Sequence, residues 1–158
     1  MQPSKMLIAT TAPYNMSVHS PMDRINVDTI GPLPEDADGN KYIIVIIDVF
    51  SRYAELYATK DATAITAAKC MVHWIGHYGI PGELLTDNGK QYTADIIEQL
   101  CELLQLDHLT IMPYSHQENA IVERANREVN RILRAIVFDM KVKKDWSLYL
   151  PLVGRVMN

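Results

Sequence analysis

Three acidic residues, Asp28, Asp87 and Glu123, could together bind divalent metal ions and act on phosphodiesters. Hard cations such as Mg²⁺ prefer oxygen ligands and keep positions open for a phosphate, so two or three convergent carboxylates are enough for a site. Two such ions about 3.5–4 Å apart can activate an attacking oxygen and stabilise the leaving oxygen during in-line displacement at phosphorus. Because this chemistry uses no protein nucleophile, the absence of the triad spacing of a serine or cysteine hydrolase does not exclude an enzyme.

The elements that would position these acids follow from the hydrophobic pattern. Residues 24–30 alternate as a half-buried strand does, 42–47 form an apolar run typical of a strand covered on both faces, and 53–58 complete a meander. A helix follows from Ala64 to the stop at Gly79, then a strand at 83–86, a second helix that Thr93 caps, and a strand at 107–111. A long helix is expected at about 118–138 and a shorter one from near Asp145. The order βββαβαβαα predicts an α/β fold, a mixed sheet with helices on both faces.

The helical periods also predict which residues face the core. In the first helix the apolar set at three- and four-residue steps is Ala64, Ile65, Ala68, Val72 and Ile75, and in the second helix it is Ile96, Ile97, Leu100, Leu103 and Leu104.

This scheme brings the three acids onto different elements. Asp28 lies in the first strand, Asp87 directly follows the fourth, and Glu123 lies about one turn into the long helix. At 100° per residue Glu123 points away from the apolar face of that helix. Three residues suited to bind phosphate lie within about 40° of it, on one stripe: Arg127, Asn130 and Arg134.

Taken singly, each acid also has a structural interpretation. Asp28 could sit at a strand edge, Asp87 could open an Asn-Gly turn, and Glu123 could pair with Arg127 on the helix surface. A fourth acid, Asp48, ends a central strand next to the one that carries Asp28. We expect Asp48 to form hydrogen bonds in the hairpin turn at Phe50 rather than to bind metal.

Charge and cysteine content narrow the class of protein. The net charge of −4 is polarised: residues 124–158 carry eight Lys or Arg against three Asp or Glu, and residues 1–123 carry seven against sixteen. This is compatible with a carboxylate metal site beside a phosphate-binding surface. Cys70 and Cys101 lie in helical patterns and predict buried thiols rather than a disulfide or zinc site. No stretch has the apolar length of a membrane span, and we expect a soluble, intracellular protein.

Four sequence blocks resemble the integrase catalytic core of retroviruses and LTR retrotransposons, most closely its Ty3/gypsy-like branch. They are PMDRINVDTIGPLP with Asp28, IIVIIDVFSRYAELY, LLTDNGKQY with Asp87, and AIVERANREVNRIL with Glu123. The last two acids are separated by 35 residues, which is the spacing typical of that family. The resemblance extends from about Met22 to the end of the chain, so residues 1–20 are expected to be an arm and 21–158 the core, with the final helix cut short.

The resemblance implies a ribonuclease-H-like fold with strand order 3-2-1-4-5, and two Mg²⁺ or Mn²⁺ ions. Asp28 would bridge both ions, Asp87 would bind one and Glu123 the other. The activity implied is trimming of the 3′ ends of the element's DNA, followed by attack of the exposed hydroxyls on target DNA. Further DNA contacts are expected from the residues near the acids: Lys90, His116, Asn126, Arg127, Asn130 and Arg134. A homodimer or higher oligomer is implied, without a membrane, which acts in the nucleus after a stage in a cytoplasmic particle.

The sequence departs from the family pattern just before the glutamate. His116 stands where the family usually has proline, and Ala120 where it has glycine; His116 could contact DNA or fill the proline's place. Tyr92 could touch substrate or be a core aromatic. His73 and His77 are one helical turn apart, but HWIGH lacks the acid of a zinc-protease motif, so we expect helix-surface residues.

Two other functions fit the same sequence. One is a nuclease of this fold that cuts DNA without joining it. The other is a domesticated, inactive descendant that serves as a DNA-binding or dimerisation module. The family's zinc-binding amino-terminal domain and basic carboxy-terminal domain are not in this sequence, so the chain resembles an excised core.

Overall fold

The computed structural model describes residues 18–87, 89–110, 116–135 and 144–158, and these form a five-stranded sheet with helices on both faces. The strands are β1 Arg24–Ile30, β2 Tyr42–Asp48, β3 Ala54–Thr59, β4 Glu83–Thr86 and β5 Asp107–Thr110. The helices are α1 Ala64–Tyr78, α2 Asp95–Leu104, α3 His116–Arg134 and α4 Leu150–Met157, with a 3₁₀ turn at Trp146–Tyr149 before α4.

The strand order is β3-β2-β1-β4-β5, as the resemblance implied. β1, β2 and β3 pair antiparallel, whereas β4 runs parallel to β1, and β5 parallel to β4. The parallel pairs need crossovers, which the helices between them supply. The predicted mixed sheet is therefore confirmed.

Each face of the sheet has its own core. On the first face, side chains of β1 and β2 pack against α1 and α2, and the largest buried members are Ile25, Ile44, Ile46, Met71, Trp74, Tyr92 and Ile97. On the second face they pack against α3 and α4 through Ile43, Val45, Ile47, Val129, Leu133, Trp146 and Val153. Residues 43–47 of β2 are all apolar and all buried, as expected for a strand that is covered on both faces.

The inward face of α1 differs from the predicted one. Ile65 and Val72 are 56% and 54% exposed, and the buried face instead carries Met71 and Trp74. Apolar residues occur all around this helix, so two stripes compete, and the one with tryptophan and methionine removes more apolar surface from water. Gly79, at φ +91°, ends the helix as predicted.

The predicted cap of α2 was wrong. The helix begins after Ala94, without a side-chain cap, and Thr93 instead donates a hydrogen bond to the Lys90 carbonyl at 3.5 Å. A backbone turn around Gly89 causes the shift, since the amide of Thr93 bonds to the Gly89 carbonyl. Of the predicted apolar set, Ile97 is buried, whereas Ile96 is 38% and Leu103 is 80% exposed.

The boundaries of the other elements agree with the sequence predictions to within two residues, except that the helix expected from near Asp145 starts as the 3₁₀ turn and becomes α4 only at Leu150. β1 and β4 have the predicted bounds, and α3 begins at His116, two residues before the predicted start. Both cysteines are buried, as expected, and burial raises the pKa of each thiol to about 11. Within the described ranges, no helix is long and apolar enough to cross a bilayer. The predicted arm up to residue 17, the loop at 111–115 and the predicted helix end near Phe138 lie outside the described residues.

Candidate active site

Asp28 and Asp87 come together at one edge of the sheet. β1 and β4 are parallel, and their register pairs Arg24 with Glu83 and Asn26 with Leu85. Continuing this register by two residues aligns Asp28 with Asp87, and neighbouring strands lie about 4.8 Å apart. Asp28 is half-buried and Asp87 is exposed, so both can be reached from solvent.

Tyr92 lies beneath this pair of acids. Its side chain is fully buried, and its hydroxyl lies 2.6 Å from Thr29 Oγ1, next to Asp28 in β1. Burial raises the pKa of Tyr92, and the negative charges of Asp28 and Asp87 raise it further, so both carboxylates act on the same hydroxyl. Of the two interpretations of Tyr92, the core aromatic is therefore confirmed.

The turn after β4 holds the Asp87 side chain. The amide of Gly89 donates to Asp87 Oδ1 at 2.7 Å. A Cβ atom at position 89 would lie 2.9 Å from that oxygen and 2.8 Å from Gln91 Oε1. Glycine therefore permits a close approach of the backbone amide to the carboxylate that any other residue would disturb.

A second contact supports Asp87 from the sheet interior. The buried Thr86 hydroxyl donates to the Asp87 carbonyl at 3.0 Å and lies 2.8 Å from His108 Nε2. Because the hydroxyl proton is used on the carbonyl, His108 Nε2–H is the donor in the second bond. Burial lowers the pKa of His108, which favours the neutral imidazole. The sequence analysis missed His108, whose only local signal is a polar position in a short strand.

Glu123 lies on α3, which covers the second face of the sheet. By strand alternation Asp28 belongs to that face too, together with Asn26 and Ile30. Glu123 is exposed, and Arg127 Nε donates to its backbone carbonyl at 3.5 Å. The side chains of Glu123 and Arg127 form no ion pair in the described part of the chain, so the surface pairing is wrong.

The three acids do not form a ready-made metal cluster. Among the residues that the structure describes, no group of three or more His, Cys, Asp or Glu side chains could hold a metal ion. The structure therefore brings Asp28 and Asp87 to one site, and places Glu123 above the same sheet face without joining it to them. Their metal-binding role stays a prediction.

The predicted DNA-binding stripe on α3 is exposed. Arg127, Asn130 and Arg134 all face solvent, and so does Lys90 beside the Asp87 turn. Arg131, one position away, pairs with Glu128 at 2.6 Å and is neutralised, whereas Arg127 and Arg134 form no ion pair in the described ranges. The side chains of His116 and Asn126 lie outside the described residues.

Asp48 has the structural role that the sequence analysis favoured. It is 3% exposed and accepts hydrogen bonds from the Met22 amide at 3.1 Å, the Ser51 amide at 3.2 Å and the Ser51 hydroxyl at 2.5 Å. His73 and His77 are exposed on α1, also as predicted.

Comparison with known proteins identifies a family. The sequence model of the family described as "Integrase core domain" matches residues 18–116, a range that contains Asp28 and Asp87 and ends before Glu123. A retrovirus-related Pol polyprotein from transposon 412 of Drosophila melanogaster is 34% identical over 129 residues, which are 81% of this chain and 10% of that protein. The Gag-Pol polyprotein of feline leukemia virus is 38% identical over 122 residues, 76% of this chain and 7% of that protein. The chain thus spans a tenth or less of the length of these relatives.

Solved structures agree with this result. The catalytic core domain of BIV integrase superposes with a TM-score of 0.66 at 28% identity, covering 84% of this chain and 81% of that one. A chain of a simian T-cell lymphotropic virus intasome, solved in complex with a PP2A regulatory subunit, gives a TM-score of 0.68 at 24% identity, covering 87% and 47%, and supports the fold alone. The sheet order and the helices on both faces are those of the ribonuclease-H-like fold. The predicted family is confirmed, whereas the Ty3/gypsy-like branch stays a prediction: this chain belongs to the integrase core domain family.

Proposed function

We propose that this chain is the catalytic core of a metal-dependent polynucleotidyl transferase that processes the 3′ ends of element DNA and joins them to target DNA. The observation that carries the proposal is the alignment of Asp28 with Asp87 on neighbouring strands, above one buried tyrosine, in an integrase core domain. Two carboxylates at this spacing are suited to share a divalent cation.

The donor chemistry of the site fits Mg²⁺ or Mn²⁺. Asp28, Asp87 and Glu123 offer hard carboxylate oxygens, and we assign these residues as the ligands of two ions. When bound, such ions supply a Lewis acid at phosphorus and a lowered pKa for an attacking water or hydroxyl. Thiolate chemistry does not compete here, because burial raises the pKa of both cysteines and keeps them as thiols.

The surrounding residues hold the ligands and the DNA. The Gly89 amide fixes Asp87 Oδ1, and Thr86 with His108 fixes the Asp87 backbone. Guanidinium groups can bind phosphate oxygens in a bidentate manner, which suits the exposed Arg127 and Arg134, since neither forms an ion pair with another described residue. We also assign the remaining polar residues near the acids as DNA contacts: Lys90, His116, Asn126 and Asn130.

A branched DNA substrate tests the proposal in one reaction. We expect the protein with Mn²⁺ to resolve it into a joined strand and a released end, and Asp87→Asn to abolish both products. Asp38→Asn is the matched control, because it makes the same charge change at an exposed turn residue that is not one of the proposed ligands. Cut ends without a joined strand would identify a nuclease instead. Absence of both products, with intact DNA binding, would identify an inactive binding module.

Assembly and location belong to the same proposal. We propose that the chain works as a homodimer or higher oligomer on element ends and target DNA, within the nucleus, and in a cytoplasmic particle before entry. Sedimentation analysis of the chain with and without DNA ends tests the assembly, and a monomer under both conditions would contradict it.

A further inference from the structure

A pair of histidines lies on the outer surface of α1, which covers the opposite sheet face from α3. His73 and His77 are exposed and one helical turn apart, so their side chains project from the same side of the helix. Their ring centroids are 4.3 Å apart, with planes tilted by 33°. Two imidazoles that bind one zinc ion at 2.0–2.1 Å require their Nε2 atoms within about 3.5 Å of each other, and these adjacent, exposed side chains can reach that spacing by rotating.

Both rings are oriented through the same nitrogen. His77 Nδ1 lies 2.8 Å from the His73 carbonyl, which can only accept, so His77 Nδ1 carries the proton. In the neutral ring this leaves the lone pair on Nε2. His73 Nδ1 lies 3.3 Å from the Tyr57 hydroxyl, and their rings meet edge to face at 5.4 Å.

Tyr57 is suited to orient His73. The Tyr57 side chain packs against the first-face core from β3, so its hydroxyl has a fixed position relative to α1. Burial raises the pKa of Tyr57, so the hydroxyl stays neutral and can accept a hydrogen bond from Nδ1–H. Binding of a cation at His73 Nε2 would select that tautomer.

We propose that His73 and His77 bind a zinc-like transition-metal ion through their Nε2 atoms, with Tyr57 and the His73 carbonyl as the partners that orient the two rings. Metal-binding histidines commonly donate their other ring nitrogen to a carbonyl or a similar acceptor, which is the arrangement of His77 and one that His73 can adopt with Tyr57. Imidazole favours Zn²⁺, Ni²⁺ and Cu²⁺ over Mg²⁺, so this site and the carboxylate site take different ions. Water would complete the coordination of the ion.

Titration calorimetry with Zn²⁺ on the whole chain, with Mg²⁺ in excess to occupy the carboxylates, tests the site. We expect one Zn²⁺ per chain, with at least tenfold weaker binding in His73→Gln and in His77→Gln. Tyr57→Phe should weaken binding by about tenfold, which is the lower range for loss of an orienting partner. His19→Gln is the matched control, because His19 is exposed but lies outside α1, and it should bind as the unchanged protein does.

Thermal unfolding gives an independent readout. At a Zn²⁺ concentration about a hundred times the dissociation constant, the Tm should rise by about 5–10 °C in the unchanged protein and in His19→Gln, and not in His77→Gln. Absence of saturable Zn²⁺ binding, or unchanged affinity in His77→Gln, would overturn the site. Unchanged affinity in Tyr57→Phe would overturn the orienting role of Tyr57. None of these results depends on catalysis, so the proposed transferase activity can fail while this site stands.

Discussion

The hydrogen bond between Tyr92 and Thr29 joins the turn after β4 to the end of β1. Substituting Thr29 should destabilise the protein more than substituting Tyr92 does. Tyr92→Phe removes one partner of the Thr29 hydroxyl, which keeps the hydrogen bond from Gln91 Nε2 at 3.4 Å and, being half-buried, can also bind water. We expect a loss of about 1 kcal/mol in the free energy of unfolding. Thr29→Val leaves the hydroxyl of Tyr92 without that partner at a fully buried position, so its loss should be larger, about 2 kcal/mol.

The double variant separates this bond from simple loss of packing. When both hydroxyls are removed together, no buried polar group is left unpaired, so Tyr92→Phe with Thr29→Val should be nearly neutral. The coupling energy is then about 3 kcal/mol, which urea unfolding of the four proteins can resolve. Additive losses, with coupling below about 0.5 kcal/mol, would refute the hydrogen bond as the link between the two elements. A smaller loss in the free energy of unfolding for Thr29→Val than for Tyr92→Phe would also refute it.

Three other predictions concern the turn after Asp87, the Asp48 side chain and the two cysteines. Gly89→Ala should displace the Asp87 carboxylate and so weaken Mn²⁺ binding about tenfold. The control is Gly76→Ala, whose added Cβ meets no atom within 4 Å; it should raise the free energy of unfolding by about 1 kcal/mol and leave Mn²⁺ affinity unchanged. Equal Mn²⁺ affinities of the two variants in calorimetry would contradict this. Asp48→Ala should lower the free energy of unfolding by about 3 kcal/mol without changing Mn²⁺ affinity, and a lost metal site would show that Asp48 is a ligand. The protein should lose stability as pH rises from about 9 to about 11, because thiols in the unfolded chain have a pKa near 9.0 whereas burial raises the pKa of both folded cysteines to about 11. If the urea midpoint of a cysteine-free variant falls as much over this pH range as that of the unchanged protein, the prediction is contradicted.

The elements that carry Asp28 and Asp87 could be predicted from the sequence because their signals are local. Alternation along residues 24–30 and the turn after Asp87 gave β1 and β4 their observed bounds. The helical crossovers predicted a mixed sheet, and the strand order followed from the resemblance to a known family. Asp28 and Asp87 are thus close to each other largely because of the strand topology.

The contacts around these acids could not be predicted from the sequence. The bond from Tyr92 to Thr29 joins residues 63 positions apart, and the one from Thr86 to His108 joins residues 22 apart. No local period encodes such pairs, because they depend on how two strands and a turn pack. The predicted inward face of α1 was wrong for a related reason. Its two apolar stripes differ only in how much of their surface can be buried against the sheet.

Anomalous diffraction from a crystal of the chain soaked in Mn²⁺ would locate the ions and show whether the three acids bind them. We expect Mn²⁺ between Asp28 and Asp87, with Glu123 also contributing a carboxylate oxygen to a bound ion. Ions held elsewhere, or a saturated Asp28–Asp87 pair with Glu123 still directed into solvent, would contradict the three-carboxylate centre.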